Sequence, residues 1–133
     1  MFDRTIENII KEKIGEGKAI IVVGARQVGK TTLLKEILRD KDFLFLDGDD
    51  PATRNFLQNP TTEQIRSFIG DYKYIFLDEV QRIPGIGLTL KIITDQFKKV
   101  QLLVSGSSSF DLGNELNEAL TGRKWEYELF PIS

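Results

Sequence analysis

The stretch Ala19-Ile20-Ile21-Val22-Val23-Gly24-Ala25-Arg26-Gln27-Val28-Gly29-Lys30-Thr31 decides the fold. Its last eight residues satisfy G-x-x-x-x-G-K-[ST] at every fixed position, the pattern of a loop that wraps backbone N–H groups around phosphates. The apolar run before it predicts a buried strand. Leu33, Leu34, Ile37 and Leu38 follow at helical spacing. Strand, glycine loop and helix, in that order, form the setting the motif requires.

Each residue type in the loop has a chemical task. Gly24 and Gly29 permit backbone angles and close approaches that a Cβ would block. Lys30 carries a flexible cation to the β- and γ-phosphates, and the Thr31 hydroxyl can ligate Mg²⁺. The amides of Gln27, Val28, Gly29, Lys30, Thr31 and Thr32 fall at a helix N-terminus, where partial positive charge favours anions. Thr32 can also hydrogen-bond the α-phosphate. The side chains of Arg26 and Gln27 are less determined and suit a solvent-facing loop equally well.

A second constellation is Tyr74-Ile75-Phe76-Leu77-Asp78-Glu79. Four apolar residues ending in an acid place Asp78 at the carboxyl edge of a strand, where open α/β sheets bind ligands. Asp78 is expected to hold Mg²⁺, through water. Glu79 is expected to polarise the attacking water as general base. The acidic pair argues against a GTPase, which would lack that glutamate and carry an Asn-Lys-x-Asp segment that is absent here.

A serine tract, Ser105-Gly106-Ser107-Ser108-Ser109, follows the apolar run Leu102-Leu103-Val104. A polar side chain at that strand tip could bridge the γ-phosphate and the lytic water. Ser107 is the first candidate and Ser105 the second; a plain polar loop is the competing reading. Phosphoryl transfer also gains from a cation facing the charge that builds on the γ-phosphate. Arg123 is the leading candidate, in cis or from a neighbouring subunit, ahead of Arg82 and Arg54. Asp47, Asp49 and Asp50 suit loop capping better than a metal site. Trp125 and Tyr127 suit a packed edge strand better than a base-stacking platform.

The chain has 133 residues, a net charge of −2, no cysteine and no histidine. One domain is the expectation. Thiolate and imidazole chemistry are excluded, and so is a whole-molecule basic field for nucleic acid, while a local basic patch, and with it a nucleic-acid partner, stays open without a motif to support it. No apolar run approaches the roughly 18 residues that span a bilayer, and the N-terminus lacks a signal-peptide core. A cytoplasmic protein without a membrane partner is expected.

Outside the motifs, Phe2, Ile6, Ile9 and Ile10 predict a first amphipathic helix. Residues 1–17 are therefore read as a helix packing on the core, and residues 18–133 as the main domain. Phe43-Leu44-Phe45-Leu46 predicts a second strand. Asp50-Pro51 starts a helix, with Asp as N-cap and Pro in the first turn. Asn59-Pro60-Thr61-Thr62 breaks that helix and caps the next. Ile86, Leu90, Ile93 and Phe97 share a helical face, residues 112–121 are expected to be helical, and Trp125–Leu129 alternates as an edge strand does. Short apolar runs between helical patterns predict an α/β fold with a parallel sheet covered on both faces.

Taken together, these segments resemble the prokaryotic AAA-superfamily ATPases fused to a C-terminal domain of unknown function, the DUF4143 group. The likeness rests on Gly24–Leu34, on Leu46-Asp47 with Asp50-Pro51 and Arg54, on Leu77-Asp78-Glu79-Val80-Gln81, on the serine tract, and on Leu120-Thr121-Gly122-Arg123 followed by Leu129-Phe130-Pro131-Ile132-Ser133. Ala25 stands where that family often has Pro. The resemblance implies a P-loop NTPase three-layer sandwich with strand order 5-1-4-3-2, which would bring Ser107 near Glu79 and Lys30. It implies ATP rather than GTP. It also implies a continuation past residue 133, through which a homo-oligomer or a protein partner could engage. The expected function is Mg²⁺-dependent ATP hydrolysis coupled to conformational change. A nucleotide-gated recruitment module without appreciable hydrolysis is the alternative. A small-molecule kinase is disfavoured because no arginine-rich lid is evident.

Overall fold

The computed structural model describes residues 4–25, 28–107 and 118–130. Five strands are all parallel: β1 (Ala19–Gly24), β2 (Phe43–Asp47), β3 (Tyr74–Asp78), β4 (Gln101–Gly106) and β5 (Lys124–Leu129). Their spatial order is β2-β3-β4-β1-β5, which from the other edge reads 5-1-4-3-2 as expected. The helices are α1 (Arg4–Lys13), α2 (Lys30–Ile37), α3 (Pro51–Leu57), α4 (Thr62–Ile69) and α5 (Ile86–Gln96), with a 3₁₀ turn at Val80–Arg82.

The three layers follow from the two-residue period of a strand. Ala19, Ile21 and Val23 of β1, Ile75 and Leu77 of β3, and Leu102 and Val104 of β4 point to one face. There they meet Leu57 of α3, Ile65 and Ile69 of α4, and Ile86, Leu90 and Ile93 of α5. The intervening residues Ile20, Val22, Phe76 and Leu103 point the other way, onto Ile10 of α1 and Leu33, Leu34 and Ile37 of α2. Strands buried on both faces need continuous apolar runs, which is what β1, β3 and β4 carry.

Local signals set the helix starts. The Asp50 carboxylate accepts from the Ala52 amide at 3.0 Å, and Pro51 opens α3. Thr61 and Gln64 form a reciprocal capping box at the start of α4: the Gln64 amide donates to the Thr61 hydroxyl at 3.1 Å and the Thr61 amide donates to the Gln64 side chain at 2.8 Å. Helix α1 is fastened at its far end by the side chain of Gln101. It accepts from the Gly15 amide at 2.8 Å and donates to the Lys18 carbonyl at 2.9 Å. Of the helix expected over 112–121, residues 118–119 are helical and residues 111–117 lie outside the described residues.

Candidate functional site

Because β4 lies between β1 and β3, the carboxyl ends of these three strands are neighbours. Each delivers one of the segments singled out above. The loop after β1 turns into α2 at Gly29, whose φ of 92° is left-handed and whose missing Cβ faces open space. Glycine takes this conformation without the Cβ clash that other residues suffer. Gly24 answers a different constraint. A Cβ there would stand 2.5 Å from the Leu129 carbonyl oxygen and 3.0 Å from Val28 Cγ2, so Gly24 lets β5 close against the start of the loop.

Lys30 is 4% exposed. Its ammonium donates to the carbonyls of Gly24 at 2.9 Å and Ala25 at 2.8 Å, which holds the cation inside the loop it follows. The Thr31 hydroxyl lies 3.1 Å from both oxygens of Asp78, 47 residues away in the chain. Thr32 is exposed at the same helix start, and Val28 is buried with its amide on the Ala25 carbonyl. Arg26 and Gln27 lie outside the described residues, as do Ser108 and Ser109.

Asp78 and Glu79 are 9% and 8% exposed. The hydroxyl of Ser105, fully buried in β4, donates to Asp78 Oδ1 and accepts from the Glu79 amide at 3.4 Å. Ser105 therefore joins the two acids directly. Ser107, the first candidate of the tract, reaches the cluster through its backbone: its amide donates to Gln81 Oε1 at 3.0 Å. Glu79 has φ 54° and ψ 50°, the one left-handed non-glycine residue among those described. Such a conformation costs on the order of 1–3 kcal/mol and persists where the surroundings enforce it. Here the enforcing contact is Gly48 at the tip of β2. Its amide donates to the Asp78 carbonyl at 2.7 Å, and a Cβ on it would stand 2.2 Å from the Glu79 carbonyl oxygen.

Asp47, Asp49, Arg54, Arg82 and Arg123 have structural partners. Asp47 accepts from the Asp49 amide at 2.9 Å, and Asp49 pairs with Arg82 at 3.3 Å. Arg54 donates to the Gly48 and Asp49 carbonyls at 3.1 and 2.8 Å, which braces the loop that presses on Glu79. Arg123 is not brought to the cluster. It precedes β5 at the amino edge of the sheet, where its carbonyl accepts from the Ala19 amide at 2.9 Å and its guanidinium binds Asp95 at 2.6 Å. β1 has six residues, so about 17 Å of strand separates Arg123 from the phosphate loop of its own chain. A role in cis is set aside on that geometry. Trp125 is flanked by the ammonium groups of Lys13 and Lys18, each 4.4 Å from the ring, and Tyr127 packs on the α2-side core.

The donor set at the junction of Thr31 and Asp78 is a hydroxyl and a carboxylate, the hard oxygens that suit Mg²⁺. With Lys30 and a helix N-terminus alongside, the arrangement fits a magnesium-bound polyphosphate. The family model described as "AAA domain" matches residues 16–133. This chain belongs to the AAA domain family. The uncharacterised Mycobacterium tuberculosis protein Rv2008c is 28% identical over 115 residues, covering 86% of this chain and 25% of its own length. The uncharacterised Methanocaldococcus jannaschii protein MJ1544 is 26% identical over 135 residues, covering 98% and 30%. The AAA chain thus spans between a quarter and a third of the length of these relatives. Among solved structures, the Aeropyrum pernix ORC1 protein in complex with DNA aligns with TM-score 0.69 at 15% identity, over 98% of this chain and 45% of that one. The Pif1 helicase of Candida albicans aligns with TM-score 0.62 at 16% identity, over 96% and 39%. Both share the fold. The chain is an AAA-type P-loop ATPase domain, and among the described residues no helix is long and apolar enough to cross a membrane.

Proposed function

We propose that this domain binds ATP with Mg²⁺ and hydrolyses it, and that turnover moves a C-terminal region of the DUF4143 type in a cytoplasmic protein. The observation that carries this reading is the contact of Thr31 with Asp78 at 3.1 Å, beside buried Lys30 and Glu79. A nucleotide-binding hydroxyl and an acidic strand end meet there from distant parts of the sequence. Gly24, Gln27, Val28, Gly29 and Thr32 complete the phosphate loop. Lys30 neutralises the β- and γ-phosphates, and Thr31 and Asp78 hold the metal, which when bound offsets charge on the transferring phosphoryl group. Glu79 takes the proton of the attacking water, and the tip of β4 at Ser107 faces the γ-phosphate. Arg123 can serve a γ-phosphate only in the site of a neighbouring subunit.

That last point favours a second reading, a nucleotide-gated recruitment module with negligible hydrolysis. Arg54 and Arg82 are engaged with the loop at residues 48–49, and Arg123 lies at the far edge. With these three arginines engaged elsewhere, turnover stays slow unless a partner supplies a transition-state cation. Nucleic acid stays outside the proposal, because the likenesses to ORC1 and Pif1 carry the fold alone. Turnover measured beside binding separates the two readings. Glu79→Gln should retain Mg·ATP binding and lose roughly 10²–10⁴-fold in kcat. A variant as fast as the parent would overturn the assignment of Glu79.

A further inference from the structure

The Glu79 carboxylate is accompanied by the Gln81 side chain, which the loop chemistry does not use. Gln81 sits in the 3₁₀ turn after β3, two residues beyond Glu79. Its Nε2 group donates to both Glu79 oxygens, at 3.4 and 3.5 Å, and its Oε1 accepts from the Ser107 amide at 3.0 Å. The left-handed turn at Glu79 folds the chain back, and the Arg82 amide closes it on the Glu79 carbonyl at 3.1 Å. That reversal lets side chains 79 and 81 meet.

We propose that Gln81 is a positioning residue which couples the tip of β4 to the Glu79 carboxylate during ATP turnover. The inference rests on the hydrolytic reading above. A carboxamide suits the task because it is donor at one end and acceptor at the other. The two ends also differ in strength. The bond to the Ser107 amide has ordinary length, whereas the fork to Glu79 is at the long limit for a hydrogen bond and biases the carboxylate without locking it. Movement of the β4 tip therefore passes through Gln81 to the angle at which Glu79 meets a water. The backbone of Ser107, rather than its hydroxyl, is the coupling element.

The test is a double-mutant cycle in ATP hydrolysis. Gln81→Leu removes both ends of the link. Gln81→Glu keeps an acceptor for the Ser107 amide and removes the donor to Glu79. Both should lower kcat by roughly 10- to 100-fold, the scale of a misplaced catalytic group. KM and ATP binding should stay within about twofold, since a group acting only in the transition state leaves uniform binding untouched. In a Glu79→Gln background neither substitution should lower the rate further, because Gln81 acts through Glu79. Amide hydrogen exchange at Ser107 should quicken in Gln81→Leu and stay slow in Gln81→Glu, which shows that the second variant is folded with the β4 end intact. If Gln81→Glu turns over like the parent while Glu79→Gln does not, the coupling is refuted and the ATPase reading stands. If Glu79→Gln turns over like the parent, or the parent binds Mg·ATP without hydrolysing it, both fall.

Discussion

At the scale of single residues, Ser105 is the one whose weight the chain concealed. The tract Ser105–Ser109 offered several hydroxyls at one strand tip, and Ser107 ranked ahead of Ser105 among them. The decisive property is burial between two strands. A side chain at position 105 points at the end of β3 only because β4 pairs with β3 in the register Leu77 with Val104. Register between strands 27 residues apart is a tertiary fact that local pattern does not carry. The consequence is testable. Ser105→Ala removes a donor from a 9%-exposed carboxylate and a partner from the Glu79 amide. Leaving such groups unsatisfied costs about 1–3 kcal/mol. Urea unfolding should show that loss with an unchanged slope, and magnesium-dependent nucleotide binding should weaken as Asp78 loses its orientation. An unchanged midpoint would mean that Ser105 does not hold the acidic pair.

At the scale of elements, the phosphate loop, the five strands and the capped helices were legible because each rests on chemistry within a few residues: apolar runs, Asp50-Pro51, Thr61 with Gln64. The 3₁₀ turn at Val80–Arg82 and the left-handed Glu79 were not. Both exist because the tip of β2 presses on the end of β3, and Gly48 is the contact. In the sequence Gly48 reads as an ordinary turn glycine between Asp47 and Asp49. In the structure it is the residue whose missing side chain lets two backbones meet. Gly48→Ala would place a Cβ 2.2 Å from the Glu79 carbonyl oxygen and 2.8 Å from that of Asp78. Neither neighbour is a flexible side-chain end, so the strand tips must part. A cost of about 1–3 kcal/mol is expected from such overpacking. Turnover should fall with it while ATP still binds, since the added Cβ meets the backbone carbonyls of Asp78 and Glu79 first. A melting temperature and kcat equal to the parent's would show that β2 does not set the geometry of Glu79.

At the scale of the whole molecule, the two edges of the sheet do different work. The carboxyl edge gathers Lys30, Thr31, Asp78, Glu79, Ser105 and Gln81, while the amino edge gathers the ties that hold the ends of the elements together. Arg123 belongs to the second group, although a Gly-Arg step before a strand suggested the first. Its direction follows from the parallel pairing of β5 with β1, which an alternating edge strand does not reveal: a residue that begins a parallel strand lies opposite the ligand edge whatever its charge. Its guanidinium holds the Asp95 carboxyl below the ordinary value of 3.8, chiefly through their hydrogen bond. An acid with a lowered folded pKa contributes stability above its unfolded pKa and loses that contribution as pH falls through the folded one. Asp95→Asn should therefore be slightly less stable than the parent at neutral pH, and the difference should close as pH drops below 3.8, the span in which the parent also loses the pair. The effect should be small, because a half-exposed pair is screened by water and salt. Turnover should stay at the parent's level, since the substitution lies a strand's length from the phosphate loop. Denaturation curves at neutral and acid pH beside a steady-state assay would check both halves. A loss of kcat in Asp95→Asn would connect the two edges and contradict this division of labour.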